Sequence, residues 1–194
     1  MLVVDVNGSP NMFGETRRLI DEVLKACEAS GAKTEVIQAQ EALEGQDRAY
    51  CEDCASPCPG TCLEVQNLAD AYDLLKDADA VVVGSPVYFG TISAQLKAFF
   101  DKSRLLRKEK GLVGKPAGAV SVGNARFGGQ ETCIRAIHDI LLVHGMLIVG
   151  DASRETGAGH QGASGQRPVS EDTFALERAK VLGQGLIEAA RKGP

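Results

Sequence analysis

Four of the chain's six cysteines fall within twelve residues, as Cys51-x2-Cys54-x3-Cys58-x3-Cys62, with Pro59 directly after the third. Thiolates held this closely suit a [4Fe-4S] cluster, in which each iron takes one cysteine and the redox work needs no open side-chain site. Structural zinc usually takes two cysteine pairs across a longer spacer, and disulfides or free thiols are the other readings of the same residues. Cys27 and Cys133 lie on apolar helical stripes and read as core, where a thiol packs as a small hydrophobe.

The run Gly8-Ser9-Pro10-Asn11-Met12-Phe13-Gly14-Glu15-Thr16 joins an apolar strand to a helix with glycines, hydroxyls and an amide. Phosphate is its natural ligand. Backbone N–H groups at the helix start and the hydroxyls of Ser9 and Thr16 can donate to an anion, and the helix dipole adds favourable potential without a lysine. A Walker loop would need Gly-Lys-Ser/Thr and a dinucleotide fold would need G-x-G-x-x-G at this place; neither is present. The alternative is a plain tight turn. One G-x-G-x-x-G occurs at Gly157 to Gly162, but it follows the last strand and leads into Ala-Ser-Gly-Gln-Arg-Pro, so it is not read as a nucleotide fingerprint. It belongs to a long Gly-rich segment, Asp151 to Val169, of the kind that serves as lid, partner contact or surface loop.

Two more loops carry site chemistry. Gly84-Ser85-Pro86-Val87-Tyr88-Phe89-Gly90 brackets two aromatics between Pro and Gly. Tyr88 and Phe89 can stack on or edge a flat ring while Val87 to Gly90 offer N–H groups to its rim; an aromatic core at a strand end is the other reading. In the run Ser121 to Glu131, Gly123, Gly128 and Gly129 permit close backbone approach, and Asn124 and Gln130 supply donors and acceptors. Together the loops outline a pocket for a ring bearing a phosphate.

The elements that must position these loops alternate along the chain. Apolar runs at Leu2 to Val6, Lys33 to Ala39, Ala78 to Gly84, Ala117 to Val122 and Met146 to Val149 read as strands, several of them continuous as in strands covered on both faces. Helical spacing appears in Leu19, Ile20, Val23, Leu24 and Cys27, in Leu63 to Leu75, in Ile92 to Phe100, in Cys133 to Leu141 and in Ala175 to Leu186, the last capped by Ser170. Five strands alternating with helices predict an α/β three-layer sandwich, a parallel sheet with helices on both faces, in one domain over residues 1–194 with a cysteine-rich insertion at 50–62. In such sheets ligands bind beyond the carboxyl ends of the strands, where the loops after strands one, three and four emerge.

The motifs G-S-P-x-x-x-G-x-T, G-S-P-V-Y-F-G with Q-L-K-A-F-F-D, G-G-Q-E and H-G-M resemble NAD(P)H-dependent FMN reductase-like flavoproteins over nearly the whole chain, and the cysteine spacing resembles their iron-sulfur flavoprotein branch. The resemblance implies a flavodoxin-like fold with strand order 2-1-3-4-5. It implies FMN with its phosphate on Ser9, Pro10, Asn11, Gly14 and Thr16 and its ring between Pro86, Val87, Tyr88, Phe89, Gly90 and Asn124, Gly128, Gly129, Gln130. It further implies a homodimer or homotetramer and, from related quinone reductases, a flavin-side histidine at His144, although a helix cap is the simpler role for that residue. Many relatives carry Asn where this chain has Glu15, and their second and third cysteines are more often two residues apart.

Net charge is -5, which disfavours a nucleic-acid partner. The chain shows no signal h-region and no membrane-length run, so a cytoplasmic location, and with it thiols rather than disulfides, is expected. Glu41 to Leu75 holds eight acidic residues and Arg48 as its one cation, whereas Lys102 to Lys115 holds six basic residues against Glu109, a pattern that could dock subunits or merely be solvated. The expected function is electron transfer between a [4Fe-4S] cluster and FMN, with ferredoxin or NAD(P)H as donor and a small-molecule acceptor; no acid-base triad is required because the cofactor performs the redox step. A cluster-free NAD(P)H-dependent FMN/quinone reductase and a flavin-binding redox sensor are the alternatives.

Overall fold

Valine dictates the centre of the sheet. In β1 (Leu2–Asn7) and β3 (Ala80–Pro86), Val3, Val4, Val6 and Val81 to Val83 are buried on both faces, as β-branched residues of a parallel strand covered by helices must be. The computed structural model, which describes residues 1–193, places β2 (Lys33–Gln38) on one side of β1 and β3 on the other, followed by β4 (Pro116–Gly123) and β5 (Leu147–Ile148). All are parallel, in the order 2-1-3-4-5 of a flavodoxin-like sheet.

On one face α1 (Glu15–Ala29) and α7 (Thr173–Lys192) bury their stripes against Val3, Val82 and Val120. On the other, α3 (Gln66–Asp77), α4 (Ala94–Asp101) and α6 (Gln130–Val143) pack on Val4, Val6, Val81 and Val83. Two short helices, α2 (Ala39–Ala42) and α5 (Arg104–Lys108), flank this second layer, and residues 43–60 between α2 and the 3-10 turn Thr61–Glu64 contain neither helix nor strand. Cys27 and Cys133 are fully buried in the two cores, as their stripes predict.

Several local expectations are corrected. The fifth strand is two residues long and pairs only with Pro116 and Ala117; β6 (Ala163–Gln166), inside the Gly-rich segment, takes over beside Val120 to Gly123. The glycines of that segment are structural: a Cβ at Gly162 would stand 2.3 Å from the Ala119 carbonyl. Buried Asp151, bonded to Arg178 of α7 (2.5 Å) and to His160 (3.1 Å from Nδ1), ties the segment down. Asp172, not Ser170, caps α7, because its carboxylate accepts from both Ala175 N (3.0 Å) and Gln166 N (2.8 Å), joining helix start to β6. The basic stretch after α4 forms α5 rather than a plain loop, and the helix expected from Leu63 breaks at Val65. Among the described residues no helix is long and apolar enough to cross a membrane.

Candidate functional site

The loops after β1, β3 and β4 meet at the carboxyl edge and are bonded to one another. Gly8 N donates to Gly84 O (2.8 Å), Ser93 Oγ donates to Gly8 O (2.5 Å) and Val87 N donates to Val122 O (2.9 Å). The first loop is held by its own side chains: Asn7 Oδ1 accepts from Ser9 N (3.0 Å), Ser9 Oγ from Asn11 N (3.1 Å) and Asn11 Oδ1 from Phe13 N (3.1 Å). Pro10 sits between these bonded residues, and Gly14 precedes the helix as its N-cap. The N–H groups of Glu15, Thr16 and Arg17 at the start of α1 have no acceptor among the described residues, and Thr16 is 2% exposed with an unbonded hydroxyl. An orphaned helix start of this kind fits an anion. Glu15 does not oppose one, because its carboxylate is turned away to accept from Val169 N (2.7 Å).

Pro86 ends β3, and Tyr88 and Thr91 then exchange backbone bonds (2.9 and 3.1 Å) around a two-residue turn with Phe89 at φ 51° and Gly90 at φ 80°, the positive pair of a type I′ turn. Val87 and Tyr88 N–H groups are spent on Val122 and Thr91, leaving only those of Phe89 and Gly90 to face a ligand. In the fourth loop Asn124 and Gly128 are exposed and Gly129 caps α6. The Gln130 amide nitrogen is turned inward to Ala125 O (2.7 Å) and Gly165 O (3.3 Å), so it braces the loop. Phe127, which the sequence pattern did not single out, mirrors Phe89: each is fully exposed and each adopts positive φ (59° and 51°). Strained bulky residues persist only where the surrounding structure over-determines them, and both phenylalanines sit on loops that abut, a Cβ on Gly129 standing 3.0 Å from Gly90 Cα. The Arg-Phe-Gly-Gly run is the signal that could have found the second.

The cysteines form a separate locus. Cys51, Cys54, Cys58 and Cys62 line one cavity of about 390 Å³ together with Lys102 and Arg104. Gly60, at φ 78°, lets this loop lie against Leu105 of α5, and Gln46 Nε2 donates to Cys62 O (2.8 Å). Arg104 pairs with Asp53 and lies beside the thiols of Cys51 and Cys58, so the acidic and basic stretches meet within the chain. Burial pushes the Cys62 thiol above its ordinary value, and Lys102 beside it opposes that shift. Among the described residues no three Cys, His, Asp or Glu side chains converge on a point that would hold one metal ion. A cubane cluster sets a different requirement, since its four thiolates bind four separate irons and stand apart around one volume. The four thiols share one volume, which is the part of that requirement they meet. Ser93 caps α4 at the loop edge and Lys102 closes its other end at the cysteine cavity, so this helix, with a rise of about 12 Å, joins the two loci.

His144 is not at the carboxyl edge. It ends α6 at the opposite side of the sheet, buried, with Nε2 2.9 Å from Ser103 Oγ and its ring against Phe100, and burial lowers its pKa. It stands away from the carboxyl-edge loops and is the C-cap residue of α6, through its backbone N–H rather than its side chain. Asp5, beneath the first loop on β1, is fully buried with neither oxygen hydrogen-bonded; Arg17 Nη1 is 3.7 Å away. Desolvation raises its pKa to about 7 against the opposing pull of Arg17.

A 2-1-3-4-5 parallel sheet with an open helix start at its carboxyl edge defines a flavodoxin-like α/β protein. The chain belongs to the NADPH-dependent FMN reductase family, whose model matches residues 1–161, and it is a flavin-dependent oxidoreductase. It is 38% identical over 195 residues to an iron-sulfur flavoprotein of Methanocaldococcus jannaschii, covering 98% of each chain. It is 34% identical over 190 residues to the iron-sulfur flavoprotein of Methanosarcina thermophila, covering 97% of this chain and 94% of that one. Its fold matches a flavodoxin, WrbA-like protein from Agrobacterium tumefaciens with a TM-score of 0.71 at 21% identity, covering 100% of this chain and 98% of the other.

Proposed function

We propose that this chain holds FMN at the carboxyl edge and a [4Fe-4S] cluster at Cys51, Cys54, Cys58 and Cys62, and passes electrons between them. The observation that carries the reading is that all four thiols line one cavity. The names of the two archaeal relatives point the same way. When bound, the cluster exchanges single electrons and FMN couples them to two-electron chemistry.

The protein's part is placement. Ser9, Asn11, Gly14 and Thr16, with the open N–H groups of α1, receive the phosphate, and Pro10 stiffens the entry to that loop. Pro86 to Gly90 and Asn124 to Gly129 border the ring, with Gln130 bracing the latter loop. Phe13, Phe89 and Phe127 are exposed around this edge, an apolar rim that calls for a cover. A second copy of the chain in a homodimer or homotetramer supplies it in this reading, and brings one subunit's cysteine loop toward another's ring. The electron donor is ferredoxin or NAD(P)H, and the acceptor a small molecule.

Anaerobic rapid mixing tests the route. Reduced ferredoxin should bleach the FMN absorbance at least about tenfold faster in the wild type than in Cys58→Ser. Equal rates in the two proteins would remove the cysteine locus from the path. If, in addition, NAD(P)H alone reduced both, the cluster-free reductase reading would replace this one.

A further inference from the structure

Lys102 is the only lysine buried in the described structure, 8% exposed, and it has neither an ion-pair nor a side-chain hydrogen-bond partner among the described residues. Its neighbours in sequence are otherwise engaged: Lys97 pairs with Asp101, Arg104 with Asp53, and Lys115 donates to the carbonyl of Ala78 (2.6 Å). The carboxylates of Asp47, Glu52 and Glu64 line the same cavity, yet none lies within ion-pair distance of Lys102. The stem of Lys102 is buried while its ammonium, bonded to no side chain, keeps access to water, the usual arrangement of a lysine with an apolar stem and a wet head. Lys102 is aimed into the one cavity whose other walls carry Cys51, Cys54, Cys58 and Cys62.

We propose that Lys102 is the counter-cation of a group held by the four cysteines, placed to favour its reduced state and so to set the potential at which the cysteine locus takes an electron. The inference rests on the cluster reading above. A cluster bound by four thiolates is net anionic and gains one further negative charge when one electron enters from a one-electron donor, which is oxidised in turn. A fixed cation nearby therefore stabilises the reduced form more than the oxidised form, because Coulomb energy scales with the charge it meets. Arg104, exposed and committed to Asp53, contributes less. Lys102 acts through the group it faces and is a positioning residue with no bond to make or break.

The test is an EPR-monitored potentiometric titration of anaerobically purified full-length protein, with iron, sulfide and FMN assayed on each sample. In Lys102→Met the ratio of reduced to oxidised cluster at a fixed potential should fall about tenfold, a midpoint lower by about 59 mV for one electron. Lys102→Arg, which keeps the charge, should stay within about threefold of the wild type, and the FMN midpoint should move less than the cluster midpoint in both. Loss of iron from Lys102→Met with FMN retained, while Lys102→Arg keeps its iron, also supports the role. A Lys102→Met cluster that titrates like the wild type overturns it, as does equal iron loss from both variants with FMN and circular dichroism unchanged. If Lys102→Met does not fold, Lys102→Gln is neutral and polar and is judged by the same titration. Wild-type protein without iron and sulfide would sink the cluster reading itself, whereas a wild-type cluster indifferent to Lys102 sinks only this inference.

Discussion

The carboxyl edge and the cysteine cavity are built on different principles. The edge is a backbone structure: its loops are cross-bonded through Gly8, Gly84, Val87 and Val122, its strain is stored at Phe89 and Phe127, and its open donors are main-chain N–H groups fixed by α1. The cysteine cavity is a side-chain structure on residues 45–65, a stretch whose only regular element is the 3-10 turn Thr61–Glu64 and which is tied to α5 and α4 by Gly60, Gln46, Arg104 and Lys102. The edge thus presents its geometry before any ligand arrives, while the cysteine loop supplies donors whose final arrangement the bound group completes. With the loci on opposite ends of α4, loss of one group should leave the other in place.

Cys58→Ser offers the sharpest way to break that separation. It should abolish most bound iron and sulfide while leaving FMN content near that of the wild type, measured on one anaerobic preparation; parallel loss of FMN would show that the two loci fold as one. Next in size is an effect confined to the edge. Asp5 ionises near the ordinary carboxyl value of 3.8 when unfolded but only at about 7 when folded. Below about pH 4 both states are protonated and no difference exists; between about pH 4 and 7 only the unfolded chain has released its proton, so stability falls, by up to about 4 kcal/mol, and levels off above 7. Asp5→Asn should therefore raise the melting temperature at pH 8 and leave it nearly unchanged at pH 4. An equal effect at both values would mean that the Asp5 charge is not the cause.

Thr16→Val removes one hydroxyl from the proposed phosphate cradle. It should weaken FMN binding about tenfold in a fluorescence titration, with iron per chain unaltered. Unchanged affinity would move the phosphate away from α1. The smallest effect is expected for Glu15→Gln. Because that carboxylate is held by Val169 N, FMN affinity should change by less than about threefold, whereas a gain of tenfold or more would place its charge beside the phosphate.

The sheet was readable because continuous valine runs leave little choice of element, and the three ligand loops because glycine, proline and hydroxyls cluster where a parallel sheet puts its sites. Other features depended on tertiary partners that no local pattern carries. β6 is made of Ala, Ser, Gly and Gln, residues of weak strand preference that pair because β5 leaves the sheet edge after Ile148. Asp172 won the helix cap over Ser170 by serving β6 as well. Gln130 and Val87 read as ligand donors but spend their N–H groups on neighbouring loops. The cysteine motif was plain in the sequence, but the lysine facing it across the cavity appears only when α4 is packed beside the loop.

The account turns on two redox groups in one chain, and the most direct measurement is the stoichiometry of FMN, iron, acid-labile sulfide and zinc in protein purified without oxygen. The prediction is about one FMN, about four iron and about four sulfide per chain, with zinc near zero. One FMN with iron and sulfide absent, or one zinc in their place, would contradict it.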